Sequence, residues 1–371
     1  LVGDVMKCGS IYIHIPFCKT ICSYCDFCKL QYHNKWSLNY LIELEKEIEK
    51  YYKKEMLSTI YIGGGTPNAL NDYEFEKLLQ IVDKLNFNIS YEYTIECNIE
   101  LLTEKQICLM KKYGVNRVSL GVQTFQDKFL KFLNRNHTKD MVVEKIKLLK
   151  DYGIKNINVD LMYAFPGETI EDLEKDIESF LELHIPHIST YSLMIEPHTM
   201  LYHQNIDSID EELDEEMYKL ICSKLKNYNH YETSNFAISG YESKHNLTYW
   251  NNKEYYGFGL GASGYIENIR YTNTRNLDAY LKGKYRTEEN HLTKSETMEN
   301  EMILGLRKLE GVSISKFYDK YNVRLEEVFD IKDLLTSERL IKYGDYIKIN
   351  EEYIYVSNDI LIHFIGSDNN E

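Results

Sequence analysis

The stretch CKTICSYCDFC, from Cys18 to Cys28, places four cysteines within eleven residues. The spacing is Cys18-x3-Cys22-x2-Cys25, and Cys28 follows after two further residues. Soft thiolates this close together can share one metal centre once they are deprotonated. Structural zinc sites usually combine two separated pairs of ligands, and this sequence has no second pair. The spacing therefore favours an iron–sulfur cluster, while a zinc site and unbound thiols stay open as alternatives.

Strand and helix patterns alternate on both sides of this stretch. Short runs rich in β-forming residues lie at 11–15, 59–63, 91–96, 117–122, 157–163 and 188–194. Segments with apolar residues at helical spacing lie between them, at 41–52, 73–85, 103–114, 140–153 and 169–183. This alternation predicts an α/β fold with a parallel sheet. Periodicity alone does not separate an open sheet from a barrel.

The pattern changes after residue 200. Residues 207–228 predict one acidic helix, and residues 231–275 are rich in Tyr, Asn and Gly without a clear period. Beyond residue 290 we predict helices at 295–309, 314–321 and 333–343, followed by strands at 345–349 and 352–357. This order resembles a small winged-helix module. The predicted domains are therefore 1–200, 201–290 and 291–371.

Charge and composition restrict the classes of partner. The chain has 371 residues and a formal charge of 43 − 58 = −15, which argues against nucleic acid or anionic lipid as a partner. The segment 291–371 has 10 basic and 16 acidic residues, which weighs against a winged-helix nucleic-acid binder, the alternative from a different functional class. We expect no membrane-spanning helix and no signal peptide. Eight cysteines then suggest a reducing, cytoplasmic location.

Polar residues and glycines recur where the predicted strands end. The segment IGGGTPN (62–68) follows the second strand, and glycines there allow a ligand to approach the backbone. Glu96 ends the third strand and Gln123 the fourth, Arg135 follows, and Asp160 lies within the fifth. The carboxyl ends of strands form the functional face of a β/α barrel. Three cysteines on a four-iron cluster also leave one iron open for chemistry at that face.

The cysteine spacing and these strand-end residues together resemble the radical S-adenosylmethionine (SAM) superfamily. The resemblance implies a partial (β/α)6 barrel with a C-terminal mixed α/β region and a small winged-helix-like domain. It implies a [4Fe–4S] cluster on Cys18, Cys22 and Cys25, with SAM on the open iron. Its SAM contacts carry over to Tyr12, Tyr24, Gly64, Gly65, Thr66, Glu96, Gln123, Arg135 and Asp160.

The resemblance also gives these residues roles. Gly64, Gly65 and Thr66 bind the SAM amino group, Glu96 and Arg135 the carboxylate region, and Gln123 and Asp160 the ribose. Tyr24 lies on the adenine side, and Tyr12 lies near the cluster-bound SAM. His14 matches a family position near the cluster, although a hydrogen-bonded strand histidine is an equal alternative. Cys28 departs from the pattern, and it is a spare thiol, a thiol sensitive to oxidation or an accessory ligand.

The segments YIHIPFC (12–18), CSYCDF (22–27), IGGGTPN, SLGVQTF and NVDLMYAFPGE resemble the branch around the oxygen-independent coproporphyrinogen III oxidase. That branch contains oxidases, which decarboxylate two propionates, and heme chaperones, which bind heme and transfer it. Phe27 occupies the position of an extra oxidase cysteine, and Cys18 lies too near the start for the long oxidase extension. Both features favour the chaperone.

The segment His245-Asn246-x-x-Tyr249-Trp250 resembles a motif of the heme chaperones. His or Tyr can ligate heme iron, and Trp offers a flat apolar face to a porphyrin. A packed aromatic loop with a hydrogen-bonded His245 is the alternative. We therefore predict a heme chaperone with heme as cargo and apo-hemoproteins, membrane-bound ones among them, as recipients. A coproporphyrinogen oxidase or another radical SAM enzyme is the second hypothesis, and a homodimer or membrane contact through a partner stays open.

Overall fold

Six parallel strands form the centre of the fold. The computed structural model describes residues 8–366, so residues 1–7 and 367–371 of the predicted domains lie outside it. Its first eight strands are β1 (Ser10–Ile15), β2 (Phe17–Cys18), β3 (Leu30–Gln31), β4 (Leu57–Gly64), β5 (Phe87–Asn98), β6 (Arg117–Gln123), β7 (Asn156–Tyr163) and β8 (His187–Ser192). Strands β1, β4, β5, β6, β7 and β8 pair in that order, each parallel to the next. The predicted parallel α/β fold is confirmed.

Helices connect these strands and cover the apolar face of the sheet. They are α1 (Asn34–Tyr51), α2 (Asp72–Asp83), α3 (Glu104–Lys112), α4 (Asp127–Phe132), α5 (Lys139–Asp151) and α6 (Ile170–Glu182). Capping boxes begin α2, α3 and α6, which explains why these helices start sharply after a loop. Ile13 of β1, Ile62 of β4, Leu44 of α1 and Leu78 of α2 belong to one continuous buried core. Only the short α4 has no counterpart among the predicted helices.

The sheet does not close into a full barrel. The later part of the chain adds β9 (Asn229–Glu232), β10 (Asn235–Ala237) and β11 (Tyr256–Phe258). Strand β11 lies parallel to β1 at one edge, and β10 and β9 continue antiparallel beyond β8 at the other. In the described part of the chain, the order is β11-β1-β4-β5-β6-β7-β8-β10-β9. The predicted partial (β/α)6 barrel is therefore confirmed.

The region after β8 packs around the open side of this barrel. It contains α7 (Met200–His203), α8 (Glu211–Lys224), α9 (Lys244–Trp250) and α10 (Leu277–Tyr280). An antiparallel sheet of β12 (Ser263–Ile266), β13 (Ile269–Asn273) and β14 (Arg286–His291) follows β11. Within residues 8–366, no helix combines the length and apolar character that crossing a membrane requires.

The C-terminal module has the winged-helix order that the sequence predicted. It consists of α11 (Lys294–Gly305), β15 (Val312–Ser313), α12 (Ile314–Tyr321), α13 (Leu325–Val328), α14 (Lys332–Thr336), β16 (Leu340–Tyr343), β17 (Tyr346–Ile349) and α15 (Ser357–Leu361). One predicted boundary and one predicted element type were wrong. The predicted helix at 333–343 ends at Thr336, because Gly344 has a φ of 57° and turns 340–343 into a hairpin strand against β17. The predicted strand at 352–357 is helical, since Asn350 caps a short turn that continues into α15.

A buried carboxylate ties the middle region to the barrel. Glu47 on α1 is 1% exposed and accepts hydrogen bonds from three later groups. The donors are the backbone N–H of Gly259 at 2.9 Å, the hydroxyl of Tyr280 at 2.6 Å and the amide of Asn273 at 2.6 Å. Burial raises the pKa of Glu47, and the three donors oppose that rise.

We predict that Glu47→Ala lowers the free energy of unfolding by roughly 3 kcal/mol, because it leaves three buried donors without an acceptor. Glu49→Ala is the matched control: it lies two residues further on the same helix, is exposed, and should change stability by less than about 0.5 kcal/mol. Chemical denaturation of both variants measures the difference. Equal effects would contradict the assigned role of Glu47.

Candidate functional site

The cysteine loop is held in place at both ends and in its middle. Strands β2 and β3 pair across its base, with the Tyr32 N–H donating to the Cys18 carbonyl at 2.8 Å. In the middle, Ser23 donates from its hydroxyl to the Phe132 carbonyl at 2.8 Å and from its N–H to the Leu133 carbonyl at 3.3 Å. The loop therefore lies against the end of α4, at the carboxyl end of the barrel strands.

Three thiols of this loop are near enough for Cys22 and Cys25 to act electrostatically on Cys18. Cys18 is buried, and Cys22 and Cys25 are half-buried. Burial, together with the neighbouring thiols of Cys25 and Cys22, raises the pKa of Cys18 to about 11. The Thr66 hydroxyl donates to Cys18 Sγ at 3.4 Å. Within residues 8–366, no three His, Cys, Asp or Glu side chains are grouped as around one metal ion. In a four-iron cluster each thiolate binds a different iron. Its three cysteines therefore lie further apart than the ligands of a single metal ion.

The fourth thiol, Cys28, lies beside a different set of residues. A Cβ atom added at Gly261 would be 2.8 Å from Cys28 Sγ, so this thiol packs directly on the Gly261 backbone. Gly261 also has a φ of 72°, which favours glycine. Burial raises the pKa of Cys28, and a hydrogen bond with Arg275 opposes that rise. These contacts fit a packed thiol more closely than a ligand.

His14 positions two elements of the site. Its Nε2 lies 2.7 Å from the Cys28 carbonyl, and its Nδ1 lies 2.9 Å from the Tyr12 hydroxyl. Burial lowers the pKa of His14 to about 4, so the ring is neutral at pH 7. Because a carbonyl only accepts, Nε2 carries the hydrogen and Nδ1 accepts from Tyr12. The structure therefore supports the interpretation of His14 as a hydrogen-bonded strand histidine.

The three glycines of IGGGTPN make room for other protein atoms. A Cβ atom at Gly63 would lie 2.6 Å from the Glu96 carboxyl carbon, and one at Gly64 would lie 2.3 Å from the His14 ring. A Cβ atom at Gly65 would lie 2.7 Å from the Ile15 carbonyl oxygen. The packing of the protein itself therefore already requires these glycines, and the expected approach of a ligand stays a prediction. They allow His14 and Glu96 to lie against the end of β4.

Two carboxylates occupy the polar interior of the barrel. Glu96 accepts from the Tyr61 hydroxyl at 2.8 Å and from the Gly64 N–H at 3.0 Å. Asp160 accepts from the Asn158 amide at 2.8 Å and from the Ser119 hydroxyl at 3.2 Å. Burial raises the pKa of Glu96 to about 7, and the charge of Asp160 adds to the rise. Burial also raises the pKa of Asp160. The buried Arg117 already opposes both rises, and a cationic ligand would stabilise the two ionised forms further.

Arg135 places a positive charge beside Cys22 of the cysteine loop. Its Nη1 donates to the Gly121 carbonyl at 3.0 Å, and its Nη2 donates to the Tyr24 hydroxyl at 3.4 Å. Its Nε is buried and has no hydrogen-bond partner among the described residues. A buried unpaired N–H is costly unless a ligand supplies an acceptor, and a carboxylate suits a guanidinium. The observation fits the carboxylate end of SAM at this position.

Gln123 is buried in a strained backbone beside Arg135. Its φ is 72°, and the pairing of β6 with β7 shifts register between Gly121 and Gln123. A side chain at residue 121 would lie 3.1 Å from Gln123 Nε2 and 3.2 Å from Arg135 Nη2. Left-handed backbone at a non-glycine residue is uncommon and concentrates at functional sites. The bulge brings both side chains over the same glycine at the carboxyl end of β6.

The four predicted heme contacts lie at the opposite end of the strands, on α9. His245 is 1% exposed, and both of its ring nitrogens are paired, with Thr59 Oγ1 at 2.8 Å and Tyr249 Oη at 2.7 Å. Its N–H donates to Glu92 at 3.0 Å. Asn246 is half-buried, and the Trp250 ring has the Arg307 guanidinium 5.6 Å from its centroid. In this conformation His245 attaches α9 to β4 and β5.

One aromatic contact connects the two ends of the barrel. The His245 ring stacks on Tyr61 with centroids 5.2 Å apart, and Tyr61 donates to Glu96. The sequence reasoning did not identify Thr59, Tyr61 or Glu92. The sequence did contain a pattern that could have identified them. Polar residues recur at alternate positions of the predicted strands at 59–63 and 91–96, as expected when one face of a sheet is lined by polar side chains.

Comparisons with known proteins agree with this geometry. Residues 12–180 match the model of the radical SAM superfamily, and residues 292–356 match the HemN C-terminal domain. Heme chaperone HemW of Lactococcus lactis is 40% identical over 99% of this chain and 100% of its own length. The chain belongs to the HemW family. HemW proteins of Bacillus subtilis and Escherichia coli are 37% and 30% identical, each over 96% of this chain and over 99% and 98% of their own lengths.

The fold of this HemW-family chain is also that of a solved oxidase. Coproporphyrinogen III oxidase (HemN) from Escherichia coli, a radical SAM enzyme, superposes with a TM-score of 0.85 over 96% of this chain and 89% of its own. The two are 19% identical, so the likeness shows a shared architecture. The HemW relatives, at 30% to 40% identity, give the closer account of this chain.

We predict that Cys22→Ser loses most of its bound iron and sulfide, because a four-iron cluster held by three thiolates loses one of them. Cys28→Ser is the matched control on the same loop and should retain both. Iron and sulfide analysis after anaerobic reconstitution measures the difference, with circular dichroism to verify the fold. Normal iron and sulfide content in Cys22→Ser would refute the ligand assignment.

We predict that SAM affinity of the cluster-loaded protein rises about tenfold between pH 6 and pH 8, as Glu96 ionises around a pKa of about 7. Affinity rises with pH because the ionised carboxylate of Glu96 attracts the positive sulfonium and amino groups of SAM. Protonation at lower pH removes that attraction. Calorimetric titration across this range, compared with Glu96→Gln, isolates the contribution of this group. Identical pH profiles for the two proteins would exclude Glu96 as its source.

Proposed function

We propose that the chain binds heme and transfers it to apo-hemoproteins. The observation that carries this proposal is the likeness to three proteins named heme chaperone HemW, over almost the whole length of each chain. Phe27 supports it, since this residue stands where the oxidases of the branch have a cysteine, and it is 66% exposed beside the cluster loop. A cytoplasmic location and membrane-bound recipients are parts of the same proposal.

We propose further that Cys18, Cys22 and Cys25 hold a [4Fe–4S] cluster and that SAM binds beside it. Glu96 and Arg135 would hold the amino-acid end of SAM, with a carboxylate for its cation and an unpaired N–H for its anion. Gln123 and Asp160 would contact the ribose, and Tyr24 the adenine side. In radical SAM proteins the cluster supplies one electron to the sulfonium of SAM.

The residues of this chain orient these groups before any ligand arrives. His14 fixes the end of the cluster loop through the Cys28 carbonyl and orients the Tyr12 hydroxyl. Thr66 holds the Cys18 sulfur, and Asn158 holds Asp160. Such preorganisation is what a specific binding site requires. Contacts of heme with His245, Asn246, Tyr249 and Trp250 stay a prediction, because ligation through His245 would require its pairing with Thr59 or Tyr249 to break.

The proposal is tested by two assays on the cluster-reconstituted protein. In an anaerobic assay with reductant, SAM and coproporphyrinogen III, we expect no protoporphyrinogen, with a known oxidase as positive control. In a transfer assay with heme-loaded protein and apomyoglobin, we expect the absorption spectrum of holomyoglobin to appear. Catalytic formation of protoporphyrinogen would replace the chaperone by the oxidase. Failure to bind or release heme, with cluster and SAM binding verified, would refute the chaperone function.

A further inference from the structure

An open groove of ≈ 460 Å³ lies at the amino-terminal end of the barrel strands. Its walls come from the residues just before β7 and β8 and from the segments around Tyr228 and 238–241. The site built from Glu96, Asp160 and the cysteines lies at the other end of the same strands. The groove volume is within the range of small-molecule and cofactor sites.

The walls of the groove are aromatic and aliphatic, and backbone contacts hold them together. The Tyr228 hydroxyl donates to the Ile185 carbonyl at 2.8 Å, and the Ile238 N–H donates to the Pro186 carbonyl at 2.8 Å. Ile238 is 41% exposed, and Tyr241 is half-buried. A flat apolar ligand would cover these side chains and remove their surface from water.

Two lysines add positive charge to this apolar surface. Lys150 donates to the carbonyls of Leu183 at 3.0 Å and His184 at 3.2 Å, which leaves one of its three N–H groups for a ligand. Lys155 is exposed, and neither lysine forms an ion pair within residues 8–366. In a chain of net charge −15, a pair of lysines without carboxylate partners favours an anionic ligand.

A histidine with an accessible ring completes the groove. His184 is exposed, its φ is 48°, and its imidazole forms no hydrogen bond within the part of the chain described. His245, in contrast, is buried with both ring nitrogens paired. A neutral imidazole must offer an unshared electron pair to ligate iron, and His184 offers one without any rearrangement.

We propose that heme docks in this groove, with His184 as an axial ligand of its iron and with Lys150 and Lys155 facing its propionates. Heme combines the features that the groove matches: a flat apolar ring, two carboxylates and a metal that binds imidazole. The proposal rests on the proposed heme-chaperone function and assigns its binding site. The groove segment 238–241 lies just before α9 in the chain, and both are at the amino-terminal end of the barrel strands.

The test is a titration of the purified, cluster-loaded protein with hemin, followed by absorption and electron paramagnetic resonance spectroscopy. We expect the wild-type protein to bind one heme and His184→Ala to bind it at least about tenfold more weakly, with loss of the imidazole-ligand spectrum. Lys155→Glu should weaken binding by about tenfold through propionate repulsion, with the iron spectrum unchanged. His291→Ala, an exposed histidine on β14, is the matched control and should bind as the wild type does.

Each outcome separates this inference from the chaperone function. If the wild-type protein binds heme and His184→Ala keeps both affinity and spectrum, the groove assignment is wrong and the chaperone function stands. If His245→Gln alone removes the imidazole spectrum, with its fold verified by circular dichroism, the iron ligand is on α9 instead. If the wild-type protein does not bind heme at all, the proposed function itself fails.

Discussion

The polar interior of a sheet that does not close is the constraint on which the rest of this structure depends. Buried polar groups must be hydrogen-bonded, and here they form chains along the barrel. The Ser243 N–H donates to the Tyr231 hydroxyl at 3.2 Å, which pairs with His187 Nε2 at 2.8 Å. His187 Nδ1 then lies 2.5 Å from Asn158, whose amide donates to Asp160. A polar path thus runs from the start of α9 to the carboxylate at the functional face.

The same constraint explains why α9 lies where it does. Glu92 and Thr59 lie opposite each other on β5 and β4, toward the amino-terminal end of the barrel, and both are buried. The N–H groups of Lys244 and His245 donate to Glu92 at 3.1 Å and 3.0 Å, and Thr59 pairs with the His245 ring. The start of α9 therefore provides hydrogen-bond partners for the buried polar groups at the amino-terminal end of the barrel. A motif that resembles a heme-binding element therefore also has a structural role, and heme ligation by His245 would require its pairing with Thr59 or Tyr249 to break.

In this architecture, function depends on particular residues rather than on the shared fold. The oxidase from Escherichia coli shares the fold at a TM-score of 0.85, yet the HemW proteins share far more of the sequence. In our proposal, the cluster loop and the strand-end carboxylates provide the cluster and SAM site that the radical SAM family implies. The residues that we link to the chaperone function lie around this fold, at Phe27, on α9 and in the groove beside β8. Fold and function therefore have to be argued from separate residues.

Local patterns in the sequence determined the parallel strands, the helices between them and the three cysteine ligands proposed for a cluster. These features depend on spacing within a few residues, which periodicity and thiol chemistry describe well. Tertiary structure alone decided which interior groups meet. His245 and Thr59 are 186 positions apart, and local periodicity carries no information about such a pair. It also decided that the glycines at 63–65 clear space for Glu96 and His14, and that the accessible imidazole beside the lysines belongs to His184. The physical reason is that hydrogen-bond partners and burial are set by the packing of distant segments, whereas propensity and spacing act within one segment.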